Sequence, residues 1–232
     1  MATTRTETTP RGPHRPRQPN KVVIVDDHAI FRKGLRELIE SELTLQVAGE
    51  APDAASALKQ VAEHEPDLII IDLSLKGGSG IDLIKQIRTL HPTARMLVSS
   101  FQDEAIYGER VLRAGAMGYV SKQEPVEKML EAIQQVLGGK LYLSAGLADR
   151  VLNRLVSRRD DISHSPVRSL SDRELEVLGL IGQGLSSKEM AQRLHLSVKT
   201  IDTYREHIKT KLHLKTANEL IRYAVTWTLE SG

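Results

Sequence analysis

Four short segments of this chain end in groups able to do chemistry at one place. VVIVDD (22–27) closes on Asp26 and Asp27, and PDLIIIDLSLKGGSG (66–80) sets Asp72 between an apolar run and a glycine-rich stretch. ARMLVSS (94–100) closes on Ser99 and Ser100, and GYVSK (118–122) on Lys122. Short apolar runs of this kind mark strands buried on both faces of a parallel sheet. In an open α/β sheet, ligands bind beyond the carboxyl ends of the strands, where the strand order reverses. A five-stranded order 2-1-3-4-5 makes strands one and three neighbours, so three carboxylates converge at one rim. Ionised carboxylates so placed repel one another, and a hard divalent cation relieves that repulsion. Mg²⁺ suits the role, because it takes a few carboxylates together with water and phosphate oxygens. One carboxylate can then act as a nucleophile toward phosphorus while the cation and a lysine neutralise the developing charge. Lys122 supplies the ammonium, Ser100 a hydroxyl for a phosphoryl oxygen, and a phosphorylated Asp72 is chemically coherent. A single aspartate at a strand end is ordinarily solvated or an N-cap; the ordered set at four strand ends is what points to a site.

The segments between these ends supply the scaffold. FRKGLRELIESE (31–42), DAASALKQVAEHE (53–65), IDLIKQIRTL (81–90), DEAIYGERVLRAGA (103–116) and PVEKMLEAIQQVLGG (125–139) have helical apolar spacing. LQVAGEA (45–51) is a further short strand. Pro125 opens the last of these helices and Gly138-Gly139 closes it. Five β–α units in succession predict a parallel sheet covered on both faces by helices, with right-handed crossovers.

Composition bounds the class. The chain has 232 residues, 40% hydrophobic and 27% charged, with no cysteine. That is ordinary for a soluble globular protein of one or two domains, with neither a disulfide framework nor a thiolate metal site. No apolar stretch is long enough to span a bilayer, and the N-terminus lacks the apolar core of a secretory signal, so a cytoplasmic location is expected. Residues 1–20, rich in Pro, Thr and Arg, are expected to be a disordered basic tail. Residues 21–150 carry 15 Lys and Arg against 19 Asp and Glu, whereas residues 165–232 carry 10 against 8. An acidic first part and a mildly basic second part favour a nucleic-acid partner for the second.

VVIVDD, LIIIDLSLKGGSG, MLVSS and GYVSK, in that order, make residues 21–139 resemble a response-regulator receiver domain of the two-component type. The resemblance implies a flavodoxin-like doubly wound (βα)5 fold. It implies Asp72 as phosphoacceptor and Asp26 and Asp27 as Mg²⁺ acids, with the Ser74 backbone carbonyl as a further ligand. Ser100 is then the switch hydroxyl, with Ser99 the competing choice, Tyr119 the aromatic switch residue and Lys122 the phosphoryl-binding lysine. Gln123 stands where many receivers place a proline.

LADRVLNRLVSRR (147–159) reads as a connecting helix and DDISHSPVRS (160–169) as turn, which gives a linker over 141–166. Beyond it every segment is helical. SDRELEVLGLIGQG (171–184) opens with Ser171 and Glu174 at capping-box spacing, and SSKEMAQRLHL (186–196) repeats the signal with Ser186 and Glu189. SVKTIDTYREHIKTKLHL (197–214) is longer, and TANELIRYAVTWTLE (216–230) is a fourth helix. Helix, short turn and helix is the helix-turn-helix arrangement, whose second helix lies in the major groove. Lys188, Lys199, Thr200, Arg205 and Lys209 are the expected phosphate contacts, and Asp202 and Thr203 the expected base-edge contacts. Glu206 lies on the same outer face. Leu220, Ile221, Tyr223 and Ala224 are expected to supply a dimer face.

The E-x-E-V-L, G-L-S-x-K-E and S-x-K-T-I-x-T-Y segments make this second part resemble the LuxR-type four-helix output domain. Receiver and output together resemble the NarL/FixJ family of response regulators. That implies a phosphorylation-controlled DNA-binding transcription regulator rather than an enzyme. It also implies a sensor histidine kinase as donor, a homodimer on DNA, no membrane partner, and at most slow self-dephosphorylation. Two other classes share some of the features. A metal-dependent aspartyl-phosphate hydrolase ordinarily has a second acid close after the nucleophile, where this chain has Leu73-Ser74. A pure interaction module would not bind DNA.

Overall fold

The computed structural model describes residues 18–75, 78–156 and 166–231. Most of the N-terminal tail, and the stretch of the linker over 157–165, lie outside the described residues. The first unit runs β1 (Asn20–Val25), α1 (Ala29–Glu40), β2 (Leu45–Ala51), α2 (Ala54–His64), β3 (Leu68–Ile71), α3 (Gly80–Leu90), β4 (Arg95–Ser100), α4 (Glu104–Ala114), β5 (Gly118–Ser121) and α5 (Val126–Leu137). All four strand pairings are parallel and the order is β2-β1-β3-β4-β5. The fold is the flavodoxin-like doubly wound sheet.

Side chains of a strand alternate between its faces, and here both faces are dry. Val23, Val25, Ile69, Ile71, Met96 and Val98 pack toward α2, α3 and α4. Val22, Ile24, Leu68, Ile70 and Leu97 pack toward α1 and α5. That two-sided burial is why the strands read as unbroken apolar runs. Helix starts are fixed locally. Asp53 accepts from the Ser56 N–H at 2.8 Å, and Asp103 from the Ala105 N–H at 2.8 Å. The free edge of β5 is covered by residues around Tyr142, whose N–H donates to the Met117 carbonyl at 2.9 Å. An open edge is thereby blunted.

The chain then enters α6 (Ala145–Val156), which lies against α4, where a Cβ on Gly108 would fall 2.7 Å from the Leu147 side chain. A 3₁₀ turn (Pro166–Ser169) leads to α7 (Asp172–Gly182), α8 (Ser187–Leu194), α9 (Val198–Lys211) and α10 (Ala217–Ser231). The sequence reading made 160–169 turn and began the helical unit at residue 167. Val167 and Leu170 are buried at 0% and 2% exposure, so the segment belongs to the packed helical unit. Both capping boxes form, at Ser171 with Glu174 and at Ser186 with Glu189. Glu174 is in turn held by Lys211 at 2.6 Å, tying the start of α7 to the end of α9. Burial works to raise the Glu174 carboxyl, and the Lys211 and Ser171 hydrogen bonds outweigh it and hold it below the usual range.

One expectation for α10 is corrected. Leu220 and Ala224 are fully buried in the core of the helical unit and cannot form a dimer face. Ile221 of the expected set is exposed, and with Val225 and Leu229 it forms the exposed apolar stripe.

The two units touch through charged groups. Asp172, the first residue of α7, receives Arg110 of α4 at 2.9 Å and Lys85 of α3 at 2.8 Å. Arg110 also donates to the carbonyls of Arg168 (3.1 Å) and Leu170 (2.7 Å), and Arg173 meets Asp82 at 2.8 Å. Burial pushes the Asp172 carboxyl up, but Lys85 and Arg110 more than offset it and hold it below the usual carboxylate range. Beside this clamp lies a cleft of about 230 Å³, lined by Ser74 and Gln102 on one side and Trp227 on the other.

Candidate functional site

β1 and β3 are neighbours, with Val25 opposite Ile71, so the residues following them leave the sheet side by side. Asp26 and Asp72 are each 2% exposed, and the Asp27 side chain is 8% exposed. The three expected acids therefore share one rim, as strand order alone requires. Asp72 is anchored by the Ser74 N–H at 3.3 Å, and its own N–H donates to the Val25 carbonyl at 2.8 Å. Lys122 reaches across from the end of β5. Its Nζ lies 2.6 Å from Asp26 Oδ2 and 2.8 Å from Asp72 Oδ2, with a fully buried side chain.

The lysine is held by more than the acids. Its Nζ sits 4.4 Å from the Phe31 ring centroid and 5.4 Å from that of Phe101, and the two rings meet edge to face at 6.2 Å. Ring faces attract a desolvated ammonium and so fix its position between the carboxylates. Neither phenylalanine was expected from the sequence. Phe31 is one turn into α1 and Phe101 directly follows Ser100, and only the fold brings them together.

Ser100 and Ser99 are both buried, at 0% and 1% exposure. Their pleat separates them. Val98 shares a face with Tyr119 and Leu97 does not, so Ser100 lies on the Tyr119 side and Ser99 on the other. The Ser99 hydroxyl has no hydrogen-bond partner, whereas Ser100 Oγ accepts weakly from the Gln102 N–H at 3.4 Å. Tyr119 is 2% exposed and its hydroxyl donates to the Gln102 carbonyl at 2.5 Å. The ring points inward. Burial drives the phenol well above its ordinary pKa, against a smaller opposing pull from the Ser100 hydroxyl, so it stays a neutral donor. Gln102 completes the link: its Nε2 donates to Ser74 Oγ at 3.1 Å, joining the loops after β4 and β3.

The donor set fits a divalent cation. Three carboxylates and one ammonium leave a formal charge of about −2, which a divalent ion cancels. Asp26, Asp27, His28 and Asp72 each offer a ligand atom within 4.8 Å of the others. Asp27 Oδ1 is buried and accepts no hydrogen bond; His28 Nδ1 lies 2.8 Å away but outside hydrogen-bonding alignment. A buried carboxylate oxygen left in that state is costly unless something positive reaches it.

The helical unit presents a second surface. The turn between α8 and α9 is His195-Leu196-Ser197, with His195 in the left-handed conformation at φ 54°. Lys199, Asp202, Thr203 and Glu206 form an exposed stripe on α9, flanked by half-buried Arg205 and Lys209, and Lys188 is exposed on α8. Several of these groups already have partners. Thr200 Oγ1 lies 2.7 Å from Ser197 Oγ within the N-cap, and Asp202 Oδ1 accepts from Ser187 Oγ at 2.9 Å. Thr203 Oγ1 donates to the Lys199 carbonyl at 3.0 Å, and Lys209 pairs with Glu206 at 2.9 Å. Among the described residues, no ion pair engages the side chains of Lys188, Lys199 or Arg205.

Comparison with known proteins matches both units of the chain. Residues 22–134 match the family described as the response regulator receiver domain, and residues 168–224 match the bacterial regulatory proteins of the luxR family. The oxygen regulatory protein NreC of Staphylococcus haemolyticus is 38% identical over 209 residues, covering 88% of this chain and 96% of that relative. NreC of Staphylococcus carnosus is 36% identical with the same coverage. Among solved structures, RcsB of Salmonella enterica serovar Typhimurium, bound to promoter P1flhDC with phosphomimetic BeF3⁻, aligns with a TM-score of 0.67. It shares 27% identity over 90% of this chain and 100% of that one. A two-component response regulator of the LuxR family from Aurantimonas aligns at 0.56 with 32% identity, over 60% of this chain and 100% of that one.

Proposed function

Because the chain belongs to the NarL/FixJ family of two-component response regulators, we propose that its rim is a phosphorylation switch that controls DNA binding by its helical unit. The observation that carries this is Lys122, buried and bridging Asp26 and Asp72 at the mouth of the sheet. A sensor histidine kinase, or a small acyl phosphate, donates the phosphoryl group. An oxygen of Asp72 forms the new bond to phosphorus as the bond to the donor breaks. Lys122 then follows the charge from the carboxylate to the phosphoryl oxygens. Ser100 donates its hydroxyl to another of those oxygens, and Tyr119 packs behind it. Asp26, Asp27, Asp72 and the Ser74 carbonyl would hold Mg²⁺, which when bound neutralises charge on the transferring group. Hydrolysis of the phosphoryl group by water is at most slow.

The proposed division is a basic tail over 1–20, a receiver over 21–140, a linker over 141–166 and an output domain over 167–232. The output domain places α9 in the major groove. Lys188, Lys199, Thr200, Arg205 and Lys209 contact phosphates, while Asp202 and Thr203 face base edges. Two copies on paired half-sites raise affinity and specificity together, and the Ile221, Val225 and Leu229 stripe is the surface that suits such pairing. A cytoplasmic location accords with a DNA partner; among the described residues no helix is long and apolar enough to cross a membrane.

Intact-mass spectrometry after incubation with acetyl phosphate and Mg²⁺ tests the switch. The expected result is a gain of about 80 Da, one phosphoryl group, that is absent in Asp72→Ala and absent without Mg²⁺. If wild type gains no adduct and beryllofluoride leaves its oligomeric state unchanged, the switch reading is wrong.

A further inference from the structure

The chain contains two phenylalanines, and both meet at one ammonium. Lys122 Nζ lies over the Phe31 ring at 4.4 Å from its centroid and over the Phe101 ring at 5.4 Å. Core packing does not account for either ring. Neither belongs to the two apolar cores that flank the sheet, and Phe101 is 47% exposed although it directly follows β4. They come from separate elements, α1 and the loop after β4, and stand 6.2 Å apart edge to face. The lysine beside them is the reverse case, a charged side chain with no exposure at all. An ammonium so desolvated is costly unless it meets negative charge or an electron-rich ring face. Asp26 and Asp72 meet it at 2.6 and 2.8 Å, and the two rings supply the faces.

We infer that Phe31 and Phe101 are positioning residues for phosphoryl transfer, acting on the Lys122 ammonium through the negative charge of their ring faces rather than through their bulk. The inference rests on the reading of Asp72 as phosphoacceptor. In the transfer, an Asp72 oxygen forms a bond to phosphorus as the donor's oxygen–phosphorus bond breaks, and with acetyl phosphate the leaving group is acetate. The charge that Lys122 faces therefore passes from a compact carboxylate to three phosphoryl oxygens. A hydrogen bond is short and directional, so it weakens as the donor shifts. Attraction to a ring face extends to about 6 Å from the centroid, so an ammonium at 4.4 Å keeps it while moving. The rings are thus the constant partner of Lys122 while its carboxylate partner changes. They weigh most where the transferring charge is spread widest, which is where an interaction accelerates the step.

Fluorination separates ring charge from ring bulk, because it drains charge from the face and leaves the shape nearly unchanged. Mono-, di- and trifluorinated phenylalanine are placed in turn at positions 31 and 101 of the full-length protein, with Phe31→Tyr and Phe31→Leu beside them. Intact-mass spectrometry with acetyl phosphate and Mg²⁺ gives the initial rate of adduct formation, and circular dichroism checks the fold. The rate is expected to fall with each fluorine, by about threefold to tenfold for the trifluorinated ring at position 31. The fall is smaller at position 101, the more distant ring. Phe31→Tyr keeps the wild-type rate, and Phe31→Leu loses as much as the trifluorinated ring. A rate that is flat across the fluorinated series, or a Phe31→Leu rate equal to wild type, overturns the inference and leaves phosphorylation of Asp72 standing. Failure of wild type to form any adduct overturns both readings.

Discussion

Asp27 brings a buried oxygen without a hydrogen-bond donor into a cluster that Lys122 only partly neutralises. Its value lies in what it binds, and its cost is borne by the metal-free fold. Asp27→Asn removes one negative charge and supplies an amide donor to the remaining acids. Metal-free stability is expected to rise by about 1 kcal/mol in a urea titration, while the midpoint for Mg²⁺ moves to higher concentration. Unchanged or lower stability would mean that the repulsion is already relieved by other groups. Among the rim groups, the acids, the lysine and Ser100 were legible in the sequence because each lies at or within two residues of the carboxyl end of a strand. The clamp on that lysine was not. Phe31 reads as an ordinary core residue of an amphipathic helix and Phe101 as a loop aromatic, and nothing in their spacing tells that both rings face one ammonium. His28 adjoins the acids in sequence, yet only the backbone turn after β1 brings its ring back to them.

At the level of the elements, the loop after Asp72 is held close by a glycine. A Cβ on Gly80, the first residue of α3, would fall 2.4 Å from the Asp72 carbonyl oxygen and 2.6 Å from the Leu73 Cα. Gly80→Ala must therefore shift backbone at the phosphoacceptor. A loss of about 1–3 kcal/mol in denaturant titration is expected, together with slower adduct formation in the mass assay. If both are unaltered, the loop is not tightly set. On α9, Lys199 is an exposed cation whose ammonium has no ion-pair partner among the described residues, so Lys199→Ala should weaken binding across DNA sequences and lower the salt slope by about 1. Gel shifts at several salt concentrations measure it, and an unchanged slope removes Lys199 from the phosphate contacts. The helices themselves were largely legible: Ser171, Ser186 and Ser197 marked three starts by capping chemistry. α10 was misjudged for a physical reason. It is apolar on two sides, so the spacing of four residues occurs both at Leu220 and Ala224 and at Ile221 and Val225. A rotation of one position separates core from surface, and only packing against α7 decides which is which.

For the whole molecule, the contact between units centres on Asp172, which the sequence could show only as a residue of a helix first turn. Arg110 lies 62 positions away in the chain, and no local pattern links them. The Asp172 carboxyl is depressed below its ordinary value of 3.8 by Lys85 and Arg110. Its contribution is therefore fully present above about pH 4 and is lost as pH falls through the lower folded-state value. Trp227, the single tryptophan, lines the cleft beside this contact and reports on it. Its emission should shift to the red in acid, below pH 3.8 in wild type, and Asp172→Asn should show the shifted spectrum at neutral pH with α-helical content intact. An emission maximum identical in variant and wild type would show that this contact does not hold the units together. The contact engages α7 and leaves the outer stripe of α9 exposed to solvent. On the proposed reading, the groove-facing helix needs no uncovering: DNA can be met through weak, sequence-blind contacts in this arrangement of the two units, and the phosphoryl group would act on the pairing of copies rather than on access to the groove.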